Sequence, residues 1–501
     1  MLLKKLISCI EPDFVRGPQD VEVNKLVHDS RKVEENSLFI CITGFETDGH
    51  LYISEAVKNG AQVIVIEKEL DSYRNDLTYI KVNDSRKAMS FLAACFYDYP
   101  LQDIKLIGVT GTNGKTTTTY LLKSIIEAAG YKCGLIGTIN ILLGDKTISS
   151  ERTTPESLEI YHYLDQMRTS GVDYVVMEVS SHALKLKRVA GMEFTAAIFT
   201  NLSRDHLDFH DTFADYAETK ARLFRQLSEQ GQGIINQDDQ YAELMKKATQ
   251  GQYLTFALQQ DADFRATDIS LNPASSSFRV QGRMTAEIDL NISGQFNIYN
   301  ALGTVACGWS LGLSQSAIQK GLKELPGIPG RFEHIGGDQD FTVVVDYAHT
   351  PDGMENVLST ARQLVTGKLR VVFGCGGDRD RKKRPLMGKI GVKYGDYSYI
   401  TSDNPRTEEP GEIIDQIIKG VTEYEKEIAR EQKVSYEVIP NRREAIFQAI
   451  KEANRGDMVL IIGKGHETYQ IFKDRTIDFD DREVAREAVE QFRGGENNCR
   501  P

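Results

Sequence analysis

Apolar positions along the chain fall into short runs. Near the start, Leu38-Phe39-Ile40-Cys41-Ile42 and Val63-Ile64-Val65-Ile66 are separated by polar stretches. Such runs predict strands buried on both faces. A second series opens at Ile104-Lys105-Leu106-Ile107-Gly108-Val109, where strand, Gly-rich loop and helix follow one another, and continues at Tyr174 to Met177 and Ala196 to Thr200. A third begins at Phe341-Thr342-Val343-Val344-Val345 and returns at Leu369 to Phe373, Tyr397 to Thr401 and Met458 to Ile462. Strands alternating with helical stretches predict parallel sheets. The chain therefore reads as α/β with three domains, at 1–98, 99–330 and 331–495. The polar end from Gly494, and 496–501 above all, is expected to fray.

A length of 501 residues agrees with several domains. With 41% hydrophobic and 26% charged residues and no apolar run of about 18, the chain reads as a soluble protein without a membrane span. Met1 to Cys9 lacks the pattern of a signal peptide, so a cytoplasmic location is expected. Seven scattered cysteines with no Cys-x-x-Cys pair suggest reduced, structural thiols. A net charge of -12 argues against nucleic-acid partners.

The segment Gly111-Thr112-Asn113-Gly114-Lys115-Thr116 departs by one residue from the common Gly-x4-Gly-Lys-Ser/Thr spacing, counted from Gly108. Its context is still that of a phosphate cradle. An apolar strand enters it, two glycines permit the tight turn, and Lys115-Thr116-Thr117 opens a helix whose free N–H groups favour phosphate. Lys115 would meet the β and γ phosphates and Thr116 a magnesium ion. Glu178 ends the run Val175-Val176-Met177, where open parallel sheets present ligands, and is a second magnesium candidate. His206 follows another apolar strand.

Together, Thr110 to Thr117, Glu178-Val179-Ser180-Ser181-His182, Asn201 to His206, Tyr216-Ala217-Glu218-Thr219-Lys220-Ala221-Arg222 and Gly294-Gln295-Phe296-Asn297-Ile298-Tyr299-Asn300 resemble the Mur ligases. The resemblance implies an N-terminal UDP-binding domain, a central ATPase domain and a C-terminal Rossmann-like domain that brings in an amino acid. It implies ATP as co-substrate, two magnesium ions and a CO2-derived carbamate on Lys220. Such a carbamate is physically sensible: a bare ammonium about 5 Å from Mg2+ would be repelled by roughly 6 to 7 kcal/mol at an effective dielectric near 20. By the same carry-over Lys115, Glu178, His206 and Lys220 are catalytic, and Asn300, Arg331 and Asp346 contact ATP. Asn300 as a helix cross-link and Arg331 as an interdomain ion pair remain alternatives.

Asp29-Ser30-Arg31, Asp48-Gly49-His50 and Arg152-Thr153-Thr154-Pro155 resemble the member that adds the third residue of the peptide stem. Ser30 would then meet the uridine nucleotide, and Thr153, Thr154, Ser180 and Arg188 the muramoyl-dipeptide of UDP-MurNAc-L-Ala-D-Glu. Leu186 stands where the family often has glutamine; Lys185 or Lys187 is the candidate to compensate. Asp403-Asn404-Pro405-Arg406 resembles the signature of members that add meso-2,6-diaminopimelate. The distal carboxylate of that amino acid can take a bidentate fork from Arg406, which lysine cannot. Arg379, Gly463 and Glu467 complete the matched pocket, with Glu467 taking an ammonium. The basic run Arg379 to Arg384 fits an active-site loop better than a nucleic-acid patch. A monomer acting on small molecules is expected. The rivals are folylpolyglutamate synthetase, which shares the ATPase core, and a P-loop switch protein.

Overall fold

The computed structural model describes residues 1–45, 47–205, 209–337, 339–428 and 434–496. It is α/β, and its strands form three large sheets that follow one another along the chain.

The first sheet has five strands, in the order Phe14–Arg16, Thr78–Lys81, Ala61–Ile66, Ser37–Ile40, Lys25–Val27. All neighbours but the first pair are parallel.

The second sheet has eleven strands. Its middle is parallel: Phe194–Phe199, Lys105–Thr110, Tyr174–Glu178 and Cys133–Ile136 lie side by side. Every residue of Tyr174–Glu178 is buried, because helices cover both faces. At one end the sheet turns antiparallel, and Ala286–Leu290 alternates buried and exposed positions, as a strand with one wet face does. That alternation contrasts with the continuous apolar runs of the middle strands.

The third sheet orders Glu333–Ile335, Thr342–Asp346, Met458–Ile462, Leu369–Phe373, Tyr397–Ile400 and Tyr436–Val438, parallel after the first pair. A small hairpin, Tyr469–Ile471 with Thr476–Asp478, stands beside it. The last helix, Asp481–Glu496, runs through Gly494 into the stretch expected to fray; residues 497–501 lie outside those described.

Candidate active site

The phosphate loop joins the strand Lys105–Thr110 to the helix Lys115–Ala128. Gly114 sits at φ 85°, and a Cβ there would lie 2.3 Å from the Asn300 side-chain oxygen, so only glycine fits. Asn300 is thereby placed against the loop from the helix Gln295–Ser310, and its amide also donates to Asn297 at 3.2 Å. The Lys115 ammonium donates to the carbonyls of Gly111 (2.9 Å) and Thr112 (2.7 Å). Burial lowers its pKa, against the pull of Glu178 and Asp205.

Glu178 gathers the loop's polar neighbours. One carboxylate oxygen accepts from the Thr138 backbone N–H at 2.8 Å; the other accepts from the Thr116 and Thr138 hydroxyls at 3.1 and 3.0 Å. The Thr153 hydroxyl lies 3.0 Å from that of Thr138. Behind it, Thr154 donates to the Glu178 carbonyl at 2.7 Å, and its hydroxyl lies 3.3 Å from that of Ser180. Arg188 donates to the Thr154 carbonyl at 2.9 Å and pairs with Glu156 at 2.7 Å. The residues expected to hold the muramoyl-dipeptide thus gather around Glu178, Thr153 reaching its carboxylate through Thr138 and Thr154 bonding its carbonyl directly. Ser30 is not part of it: that residue lies in the first unit and donates to Glu55 at 2.8 Å. Lys185 and Lys187, the candidates to compensate for Leu186, are paired with Asp215 and Asp84.

Lys220 comes from the helix Phe213–Ala221 and is 1% exposed. Its amine donates to the Gly111 carbonyl at 2.8 Å and lies 4.6 Å from the centre of the Tyr216 ring. Burial, reinforced by the charge of Lys115, holds its pKa well below the ordinary lysine range. His206 lies outside the described residues.

From the third unit, Arg331 donates to the Thr116 hydroxyl at 3.3 Å and stacks over Tyr347 at 4.4 Å. Asp346 accepts from the backbone of Phe332 and Ala348, both at 2.7 Å; burial raises its pKa while Arg331 opposes. A cavity of about 610 Å³ opens between the second and third units, lined by Lys115, Thr116, Glu178, Asn300, Arg331 and Asp346 among others. Thr116 and Glu178 present hydroxyl and carboxylate oxygens 3.1 Å apart. That donor set fits magnesium, which takes few protein oxygens and keeps its waters. Among the described residues no cluster of three His, Cys, Asp or Glu side chains forms a denser cage.

The second cluster lies in the third unit. The Asn404 amide donates to Glu467 at 2.8 Å, and Asp403 accepts from the Asn404 backbone at 2.6 Å. Arg406, at φ 53°, donates one guanidinium nitrogen to the Gly377 carbonyl at 2.8 Å. Gly463 approaches Asp403 so closely that a Cβ would lie 2.8 Å from its carboxylate. Arg379 is exposed and donates to the Asp378 carbonyl at 2.9 Å. In the basic run, Arg384 is fully buried and grips Glu408 at 2.8 and 3.0 Å. The two clusters adjoin through the rings of Tyr347 and His466, 5.0 Å apart.

Thr138, Asp352 and Lys464 were not singled out from the sequence. Thr138 follows a parallel strand, the one available hint; the other two carried no local signal.

Three family profiles match in order: "Mur ligase family, catalytic domain" over residues 22–97, "Mur ligase middle domain" over 109–308 and "Mur ligase, glutamate ligase domain" over 330–465. A UDP-N-acetylmuramoyl-L-alanyl-D-glutamate--2,6-diaminopimelate ligase of Clostridium tetani is 46% identical over 98% of this chain and 100% of its own length. The chain belongs to the Mur ligase family. A Bacillus velezensis relative of the same name is 44% identical over 98% of this chain and 99% of its own. A solved Mur ligase of that name aligns with a TM-score of 0.70 at 32% identity, covering 98% of this chain and 99% of the other. Folylpolyglutamate synthase of Mycobacterium tuberculosis, complexed with ADP and AMPPCP, has a TM-score of 0.61 at 16% identity over 76% of this chain and 92% of its own. It shares the fold alone.

Proposed function

We propose that this Mur ligase joins meso-2,6-diaminopimelate to the D-glutamate γ-carboxylate of UDP-N-acetylmuramoyl-L-alanyl-D-glutamate, using ATP, as a step in peptidoglycan precursor synthesis. One observation carries the reading: 46% identity to a ligase of that name over 98% of the chain, far more than an ATPase core alone would cover. Both rivals lack a reason for that reach.

A substrate γ-carboxylate oxygen attacks the γ-phosphorus of ATP, the bond to ADP breaks, and an acyl phosphate forms. The diaminopimelate amine then attacks the acyl carbon, the C–O bond breaks with release of phosphate, and the amine loses its proton. Lys115 and the N–H groups of the loop steady the phosphates; Asn300, Arg331 and Asp346 orient the nucleotide. Thr153, Thr154, Ser180 and Arg188 hold the dipeptide beside Glu178, and Ser30 holds the uridine end. Arg379, Asp403, Asn404, Pro405, Arg406, Gly463 and Glu467 hold the amino acid. Thr116 and Glu178 would bind one magnesium ion, and His206 with a carbamate on Lys220 a second. When bound, these ions neutralise charge on the transferring phosphoryl group. The buried Lys220 amine supports the carbamate, since the neutral amine is the form that adds CO2.

We divide the chain at residues 98 and 330, with the third domain ending at 495. The enzyme is proposed to act as a cytoplasmic monomer. No described helix is long and apolar enough to cross a membrane. The test is phosphate release: it should require both the UDP-sugar dipeptide and the amino acid. Release with either omitted would contradict the assignment.

A further inference from the structure

Within the proposed amino-acid pocket lies a charge that has no part in the proposed reaction. Lys464 is fully buried, between Gly463 and Gly465. Its ammonium donates to the Asn404 side-chain oxygen at 3.1 Å and to Glu467 at 3.0 Å, and the Tyr469 ring lies 5.5 Å away. Asn404 in turn donates to the same Glu467 oxygen at 2.8 Å. Two donors therefore converge on one oxygen, Oε2. Asp403 accepts from the Asn404 backbone through one oxygen, while the other faces Gly463.

The charges can be counted. Asp403 and Glu467 contribute two negatives and Lys464 one positive. Arg442, also fully buried, is matched by Asp481 at 2.6 Å. Asp403, Glu467 and Lys464 together leave a single negative charge, enough for one ammonium, with the Arg406 guanidinium nearby for one carboxylate. That is the pattern of one zwitterionic amino-acid head. Without Lys464 the two negatives of Asp403 and Glu467 would face Arg406 alone, and the net negative charge would disfavour a carboxylate.

Resting on the proposed reaction, we infer that Lys464 is a specificity-determining positioning residue: its charge lets the Asp403–Glu467 pair accept an amino-acid head bearing a carboxylate instead of a bare amine. It acts through Glu467 and Asn404, whose side chains it holds.

The experiment compares kcat/KM for diaminopimelate and for lysine in the full-length enzyme and in Lys464→Met and Lys464→Gln. Met keeps the length and removes charge and donor; Gln keeps a donor and removes only the charge. Both variants should lose about tenfold or more of the preference for diaminopimelate over lysine, the scale of one uncompensated buried charge. The loss should fall on KM for diaminopimelate, with KM for ATP unmoved. Equal losses for the two amino acids, a preference restored by Gln, or failure of both variants to fold would each overturn the inference. Wild-type enzyme that does not use diaminopimelate would instead sink the proposed function, so the two failures are told apart.

Discussion

Asp352 accepts a hydrogen bond from the Asn113 side chain at 3.1 Å, across 239 positions of sequence. The same carboxylate oxygen accepts from the Ser203 hydroxyl at 2.6 Å. Asp352 stands in the first turn of the helix Pro351–Leu364, capped by Thr350, so a single side chain of the third unit clasps the phosphate loop and the strand end beside it. A hydrogen bond to a charged group contributes about 1.5–3 kcal/mol. Asp352→Ala should therefore lower kcat/KM for ATP by roughly tenfold to a hundredfold. Asp352→Asn, which can still accept from Ser203, should lose less. Steady-state kinetics with ATP as the varied substrate decide it.

Glu178 is 1% exposed and accepts three hydrogen bonds. Glu178→Gln keeps the size and an acceptor oxygen but removes the charge. Turnover should fall by roughly a thousandfold, the scale of losing a group that serves the transferring phosphoryl. Melting temperature should change little. A variant with near-normal turnover would remove Glu178 from the phosphoryl site.

The Lys220 amine predicts a pH effect of definite sign. Its folded pKa lies below the ordinary lysine value of 10.5, so the unfolded chain binds more protons between the two values. In CO2-depleted protein the penalty is therefore full below the folded pKa and fades as pH rises toward 10.5. Stability should climb with pH across that window. Added bicarbonate at neutral pH should raise the melting temperature of the wild type and leave Lys220→Met unchanged.

Arg442 and Asp481 form an ion pair with both side chains fully buried, at 2.6 Å. Arg442→Met leaves Asp481 uncompensated and should cost about 3–5 kcal/mol. Arg442→Met with Asp481→Leu should recover most of that loss, because the desolvated charge is gone. Denaturant melts of the three chains measure it.

How much of this was legible in the sequence depends on distance along the chain. The phosphate loop was readable because strand, glycines, Lys115 and Thr116 are contiguous. Glu178 was readable because a carboxylate closing a buried strand is a local pattern. Thr138 reaches Glu178 only because Cys133–Ile136 pairs in parallel with Tyr174–Glu178, and Asp352 reaches Asn113 only through the packing of two units. Neither fact is written in a neighbouring residue. The basic run Arg379 to Arg384 reads as an active-site loop, but nothing local sets Arg384 apart within it, and its burial follows from Glu408, 24 positions on. The strands from Phe264 to Leu290 were not read at all. Their alternating positions lack the apolar runs that revealed the parallel strands.

The choice of amino acid is decided by a competition assay. The enzyme is given ATP, UDP-N-acetylmuramoyl-L-alanyl-D-glutamate and equal amounts of meso-2,6-diaminopimelate and lysine, and the mass of the product is read. The wild type should yield the diaminopimelate tripeptide almost alone, and Arg406→Ala a near-even mixture. A wild-type product dominated by lysine would contradict the proposed function.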